Sequence, residues 1–222
     1  MDWFAHVDIY CERTHDGVWS EPLNFFTNAA FIASALILFF KEGKLSSTRL
    51  LCLLLAGIGV ASGLFHFFGQ IWSLIADILS INLFVLFYLF FSNRHYLGAS
   101  QLWAALGAAM FLPYVAATVP IFKMIPMIEG SAAYLSIVLL ILFYSLLLRS
   151  RLPVVSRGLA TGFGILLFSI FFRTVDVHWC DQFPTGTHFL WHILNAIMLG
   201  WMIYVYSRHR SMQDKLKEKT VF

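Results

Sequence analysis

Seven stretches of the chain read as almost unbroken apolar residues, and polar residues gather between these stretches instead of recurring every third or fourth position within them. The stretches run roughly over 24–41, 49–68, 71–92, 100–121, 130–149, 155–173 and 187–207. Each is about 20 residues long, which at a rise of about 1.5 Å per residue crosses a hydrocarbon core of about 30 Å. The pattern predicts an all-α bundle of seven transmembrane helices. Residues 1–222 form one integral-membrane domain, with an N-terminal arm over 1–23, the helices over 24–207 and a basic tail over 208–222. Most connections are short, so the helices pack as a single bundle.

Composition narrows the class further. Of 222 residues, 59% are hydrophobic and 12% charged, and mean hydropathy is +0.76, where a soluble domain carries about 25% charged residues. With 23 Phe, 8 Tyr and 7 Trp, the chain suits a surface that faces lipid. A soluble globule, a disordered chain and a disulfide-stapled secreted scaffold are excluded. So is a nucleic-acid-binding domain, because the formal net charge is only +3 and the basic residues lie where membrane topology wants them. The arm holds Asp2, Asp8, Glu12, Asp16 and Glu21 against Arg13, unlike the basic start of a signal peptide.

Lysine and arginine orient the bundle, because positively charged loops stay on the cytoplasmic side. Lys41, Lys44 and Arg49 follow the first span, Arg94 the third and Arg149, Arg151 and Arg157 the fifth. Arg208, Arg210, Lys215, Lys217 and Lys219 follow the seventh, and the opposite side holds Arg13, Lys123 and Arg173. The expected topology has the N-terminus outside and the C-terminus in the cytoplasm.

Ionisable groups inside a span are expensive, so each needs a partner or a role. His66 falls near the outer end of the second span, Asp77 about two turns into the third, and His188 and His192 in the first two turns of the seventh. Ser62 precedes His66 by four residues and shares its helix face. All five belong to the outer leaflet. His188 and His192, at i and i+4, can reach one metal ion, and His66 can supply a third ligand, leaving the open position that catalytic zinc keeps. Spacing alone leaves open two other readings. The histidines could instead hydrogen-bond across the bundle, and Asp77 could be a structural partner.

These residues sit within a longer pattern. The arm reads Asp8-Ile9-Tyr10-Cys11-Glu12-Arg13 and then Glu21-Pro22-Leu23-Asn24. The second and third spans give Ser62-x-x-x-His66 and, eleven residues on, Asp77. The seventh opens with His188-x-x-x-His192. The chain resembles the alkaline ceramidase family, within the larger group of seven-helix membrane hydrolases that includes adiponectin receptors, and the match runs in order along nearly the whole chain.

The resemblance implies an intramembrane zinc-dependent amidohydrolase that cleaves ceramide to a free fatty acid and a sphingoid base, with its active site toward the outer leaflet. His66, His188 and His192 would hold Zn²⁺, Asp77 would take the proton of the attacking water, and Ser62 would donate to the oxyanion or orient that water. It also implies a Ca²⁺ site in the arm, with Asp8, Glu12 and Glu21 as hard oxygen ligands, although this arm carries one extra residue between the Asp and the Cys-Glu pair. Cys11 and Cys180 both lie outside, where a disulfide is permitted, and the resemblance points to one; the alternative is two free thiols. The expected partners are a ceramide-like lipid and the bilayer, with neither a nucleic acid nor an obligate protein partner.

Three other classes share this architecture. A retinal protein needs a lysine in the last span, and 187–207 contains none. A seven-helix receptor would keep the metal ligands but reverse the topology. A proton- or ion-translocating protein could use His66, Asp77 and His192 as a relay, yet the inner halves of the spans are nearly all Phe, Leu, Ile and Ala.

Overall fold

The protein is all-helical among the described residues. The structure, a computed structural model, describes residues 2–220, of which 217–220 by backbone alone, so the side chains of Lys217 and Lys219 lie outside the described residues. Helices α1 (Pro22–Thr27) and α2 (Ala29–Glu42) make the first span, followed by α3 (Ser46–Phe68) and α4 (Ile71–His95). Helices α5 (Gln101–Ala109) and α6 (Phe111–Phe122) share the fourth span, then come α7 (Ala132–Leu148), α8 (Pro153–Val175) and α9 (His188–Thr220). Seven helical segments are long and apolar enough to cross a membrane, which makes this a multi-pass membrane protein. Large apolar side chains such as Phe40, Leu53, Leu79, Leu102 and Trp103 are exposed, as a lipid-facing surface requires.

Two spans are broken where the hydropathy pattern runs on. At Asn28 the side chains of the first span bond to their own backbone: Thr27 Oγ1 donates to the carbonyls of Leu23 and Asn24, and Asn28 Nδ2 to that of Asn24. Such bonds compete with the helical ladder and bend it. The fourth span breaks at Met110 because Pro113 lacks an N–H and its ring crowds the carbonyl four residues back, at Ala109, where α5 ends. The last helix runs past the apolar stretch. Hydropathy marks the membrane edge, and the helix continues into polar sequence, where Arg210 pairs with Asp214 one turn on at 3.5 Å.

Helices adjacent in sequence pack side by side, and α9 returns against α2 and α3 to close the bundle. Phe31, Leu55, Ile58, Leu166, Ile203 and Tyr206 are buried in the shared core. Lipid tails are as apolar as these side chains, so helix association depends on close approach through small residues. Gly158 and Gly162 on α8 lie against Val205 and Met202 of α9, and Gly200 of α9 lies against Ser34 of α2.

Polar bonds tie each end of the bundle separately. At one end Tyr206 donates to Ser47, Ser207 to Glu42 and Gln213 to the His95 carbonyl. At the other the arm crosses the α3–α4 turn, with the Val7 N–H on Gly69 O and the Ile71 N–H on Ala5 O, and the Cys11–Cys180 disulfide clamps it to the segment before α9. Gly69 makes that turn possible with φ +58°.

A β-carbon at position 200 would stand 2.2 Å from Ser34 Oγ. Gly200→Val is therefore expected to push α9 off α2 and destabilise the protein by about 1–3 kcal/mol, seen as a lowered thermal midpoint in detergent. An unchanged midpoint would show that the contact yields freely.

Candidate functional site

The polar residues that the spans carry converge at the arm end. His66 lies in the last turn of α3, and His188 and His192 in the first two turns of α9. Each of the three side chains offers one nitrogen within 4.8 Å of the others, and all three residues are buried at 1% exposure. Their ring centroids are 4.6 Å apart for His66–His192 and His188–His192, and 5.4 Å for His66–His188.

Two imidazoles have their tautomer set by neighbours. Glu21 Oε2 lies 2.5 Å from His66 Nδ1, so that nitrogen donates and Nε2 keeps its lone pair. Thr27 Oγ1 lies 3.0 Å from His192 Nδ1, and with the hydroxyl hydrogen on an α1 carbonyl that nitrogen donates in turn. Nδ1 of His188 is buried with no hydrogen-bond partner. The His188 ring is stacked under Tyr10 of the arm, with centroids 3.6 Å apart. Two oriented lone pairs and one orphaned ring nitrogen in a buried group of three form a donor set suited to zinc, and the residues present fit that ion.

Ser62 and Asp77 line the same cavity as His188 and His192. Its water-accessible space is about 50 Å³, room for a few waters at roughly 10–15 Å³ each. Asp77 Oδ1 is buried and unpartnered. Arg173 and Tyr134 reach the same cavity, and the Arg173 guanidinium is sandwiched among the rings of Tyr10, Tyr134 and Trp191 at 5.1–5.4 Å while donating to the Tyr10 hydroxyl at 2.7 Å. Burial raises the Tyr10 hydroxyl above its ordinary pKa, so it remains a neutral partner for Arg173. A second, deeper cavity shares Phe84, Val85, Ile137, Met198 and Leu199 with the first, and is otherwise apolar apart from the hydroxyls of Tyr88, Ser92 and Tyr144.

The expected calcium ligands are differently employed. Asp8 is exposed. Glu12 accepts the N–H groups of Leu23 and Asn24 at 2.6 and 2.8 Å, which caps the start of α1. Glu21 takes Arg13 Nε at 2.6 Å on one oxygen, and His66 with Asn24 Nδ2 on the other. Burial raises both carboxyls above their ordinary pKa, and for Glu21 the Arg13 guanidinium pulls against that rise. Among the described residues the histidine set is the one group of three or more His, Cys, Asp or Glu side chains placed to share an ion. As placed, the arm does not offer calcium a ready shell of carboxylates, because Glu12 and Glu21 already hold backbone N–H groups, Arg13 and His66, and Asp8 is exposed away from them.

Several residues had no signal in the sequence. Asp176 and Arg173 belong to no motif, yet Asp176 is buried at 1% and accepts the N–H groups of Thr187, His188 and Cys11 at 2.6, 2.8 and 3.1 Å. It thereby fixes the first turn of α9, with His188 on it, and the disulfide end of the arm. Tyr10 reaches His188 directly and Arg13 reaches His66 through Glu21 because the arm folds back, which helical periodicity cannot foretell, while Thr27 meets His192 from α1.

A family model described as Ceramidase matches residues 5–222. No curated protein matches the chain.

Asp176→Ala should strand three backbone N–H groups and destabilise the protein by roughly 2–4 kcal/mol, since hydrogen bonds to a charged group are worth about 1.5–3 kcal/mol each but overlap here. A thermal midpoint within one degree of the parent protein's would show that water replaces the carboxylate.

Proposed function

The chain belongs to the ceramidase family, and we propose on that basis that it hydrolyses the amide bond of ceramides within the bilayer, giving a free fatty acid and a sphingoid base. The observation that supports this most directly is the wall of one cavity carrying His188, His192, Ser62 and Asp77, with His66 completing the buried histidine group. His66, His188 and His192 would hold zinc, which supplies a Lewis acid for the amide carbonyl and a water acidified toward a pKa of about 7.

The protein's own groups supply the rest. Asp77 accepts the proton of the attacking water at its open Oδ1 and returns it to the departing nitrogen, which would otherwise leave as an unstable amine anion. Ser62 donates to the carbonyl oxygen as it gains charge. The deeper apolar cavity takes hydrocarbon, and lining by rings, aliphatic groups and three hydroxyls suits an acyl chain better than an ion path. The basic loops support an orientation with the N-terminus outside, the C-terminus in the cytoplasm and the site toward the outer leaflet.

Purified protein is expected to carry about one zinc per chain. His188→Ala and His192→Ala should lose it, while Asp77→Asn should keep it and lose ceramide hydrolysis by about 10²–10⁴-fold. Zinc retained by both histidine variants would refute the metal assignment. Near-normal turnover by Asp77→Asn would move the base elsewhere.

A further inference from the structure

The arm contains a cation of its own. Arg13 is 5% exposed, its Nε lies 2.6 Å from Glu21 Oε1 and its Nη1 2.6 Å from Ser20 Oγ. Its guanidinium is seated directly on Gly69, where a β-carbon would come within 2.2 Å of Arg13 Cζ. The fit thus depends on a glycine that the α3–α4 turn also requires for its positive φ. Glu21, held from one side by Arg13, holds His66 from the other. Calcium takes six to eight oxygens at about 2.3–2.6 Å. Here the most buried acid of the arm has both oxygens engaged, and Asp8 is exposed. The buried oxygens still open nearby, Oδ1 of Asn24 and of Asn28, are amide carbonyls, which complete a calcium shell beside free carboxylates but bring no charge of their own.

We propose that the Arg13 guanidinium takes the place of a calcium ion in the arm, neutralising Glu21 so that its carboxylate can orient His66, and that the arm is ordered without calcium. Arg13 is a positioning residue, acting on the histidine group through Glu21. A buried carboxylate needs a fixed countercharge to remain ionised, and a covalently attached guanidinium provides one that dilution and chelators cannot remove. Its forked donors bridge Glu21 and Ser20 at the same time, which an ammonium does less well. The positioning role rests on the metal reading given above, whereas the replacement of calcium does not.

The test uses the intact purified protein. After dialysis against about 5 mM calcium, above the usual dissociation range of extracellular sites, metal analysis should find no stoichiometric calcium. The thermal midpoint should match a magnesium control. Near one calcium per chain with a saturable rise in midpoint overturns the proposal, whatever the zinc content. Arg13→Met should lower zinc affinity by at least about tenfold, within the range that outer hydrogen-bond partners of metal ligands command, as read by competition with a chromophoric chelator. Arg13→Lys, which keeps the charge, should retain more of that affinity. Equal loss in both variants, or unchanged affinity in Arg13→Met, refutes the positioning role; a wild-type protein without zinc refutes the metal reading and leaves the calcium measurement to decide this one. If Arg13→Met does not fold, that same measurement still decides.

Discussion

A single buried carboxylate organises this end of the molecule. Glu21 has 0% exposure, and an ionised acid in such surroundings is sustained only by charge and hydrogen bonds that saturate its oxygens. Arg13, His66 and Asn24 do so, and they come from the arm, α3 and α1. Removing any one of them leaves a charge or a strong acceptor exposed to low dielectric, which is why the arm cannot lift away independently of the histidines. The same logic repeats around the other two rings. Tyr10 covers His188 and is held by Arg173, and Thr27 fixes His192. Each histidine is therefore oriented by the first 27 residues, although two of the three are more than 160 residues away in sequence.

That arrangement explains what the sequence disclosed and what it withheld. Spans were legible because lipid demands about 20 apolar residues whatever the packing, and their count and ends agree with the structure to within a few residues, save for α9. His188 and His192 were legible because one turn of helix puts i and i+4 on one face, and Cys11 and Cys180 because topology placed both on one side. The partnership of Glu21 with Arg13 was not legible. Nothing in an irregular arm fixes which acid meets which base, so periodicity could not pair Glu21 with Arg13 rather than with an ion. The breaks at Asn28 and Met110 were hidden for a different reason, since hydropathy is blind to where a hydroxyl or a proline interrupts the ladder. Pro113 was in view all along, but its effect falls at Ala109, four residues upstream.

The buried ionisable side chains gather at the arm end, as the energetics of the membrane favour. Each buried donor or acceptor at hydrocarbon depth needs a protein partner, because no water is available to substitute. An arm that folds back over the bundle supplies many such partners at its own end, whereas the other end relies on groups the helices carry, such as Ser47, Glu42 and the His95 carbonyl. The site is consequently shallow, and the interior beyond Phe84 and Met198 can be given over to apolar side chains.

Asp176 shows how α9 brings that shallow site together. The first N–H groups of a helix have no partner within it and carry about half a positive charge between them. Asp176 takes those of Thr187 and His188 on one oxygen and the Cys11 N–H on the other, so a single carboxylate caps the helix and anchors the disulfide. An anion at this position also offsets the positive end of α9. Without it, that end would face His188 and His192 uncompensated, a poor setting in which to gather a divalent cation. The cap that makes α9 begin at His188 is thus the same feature that makes its first two turns a suitable place for metal ligands, and structural and chemical demands on Asp176 cannot be separated by sequence position alone.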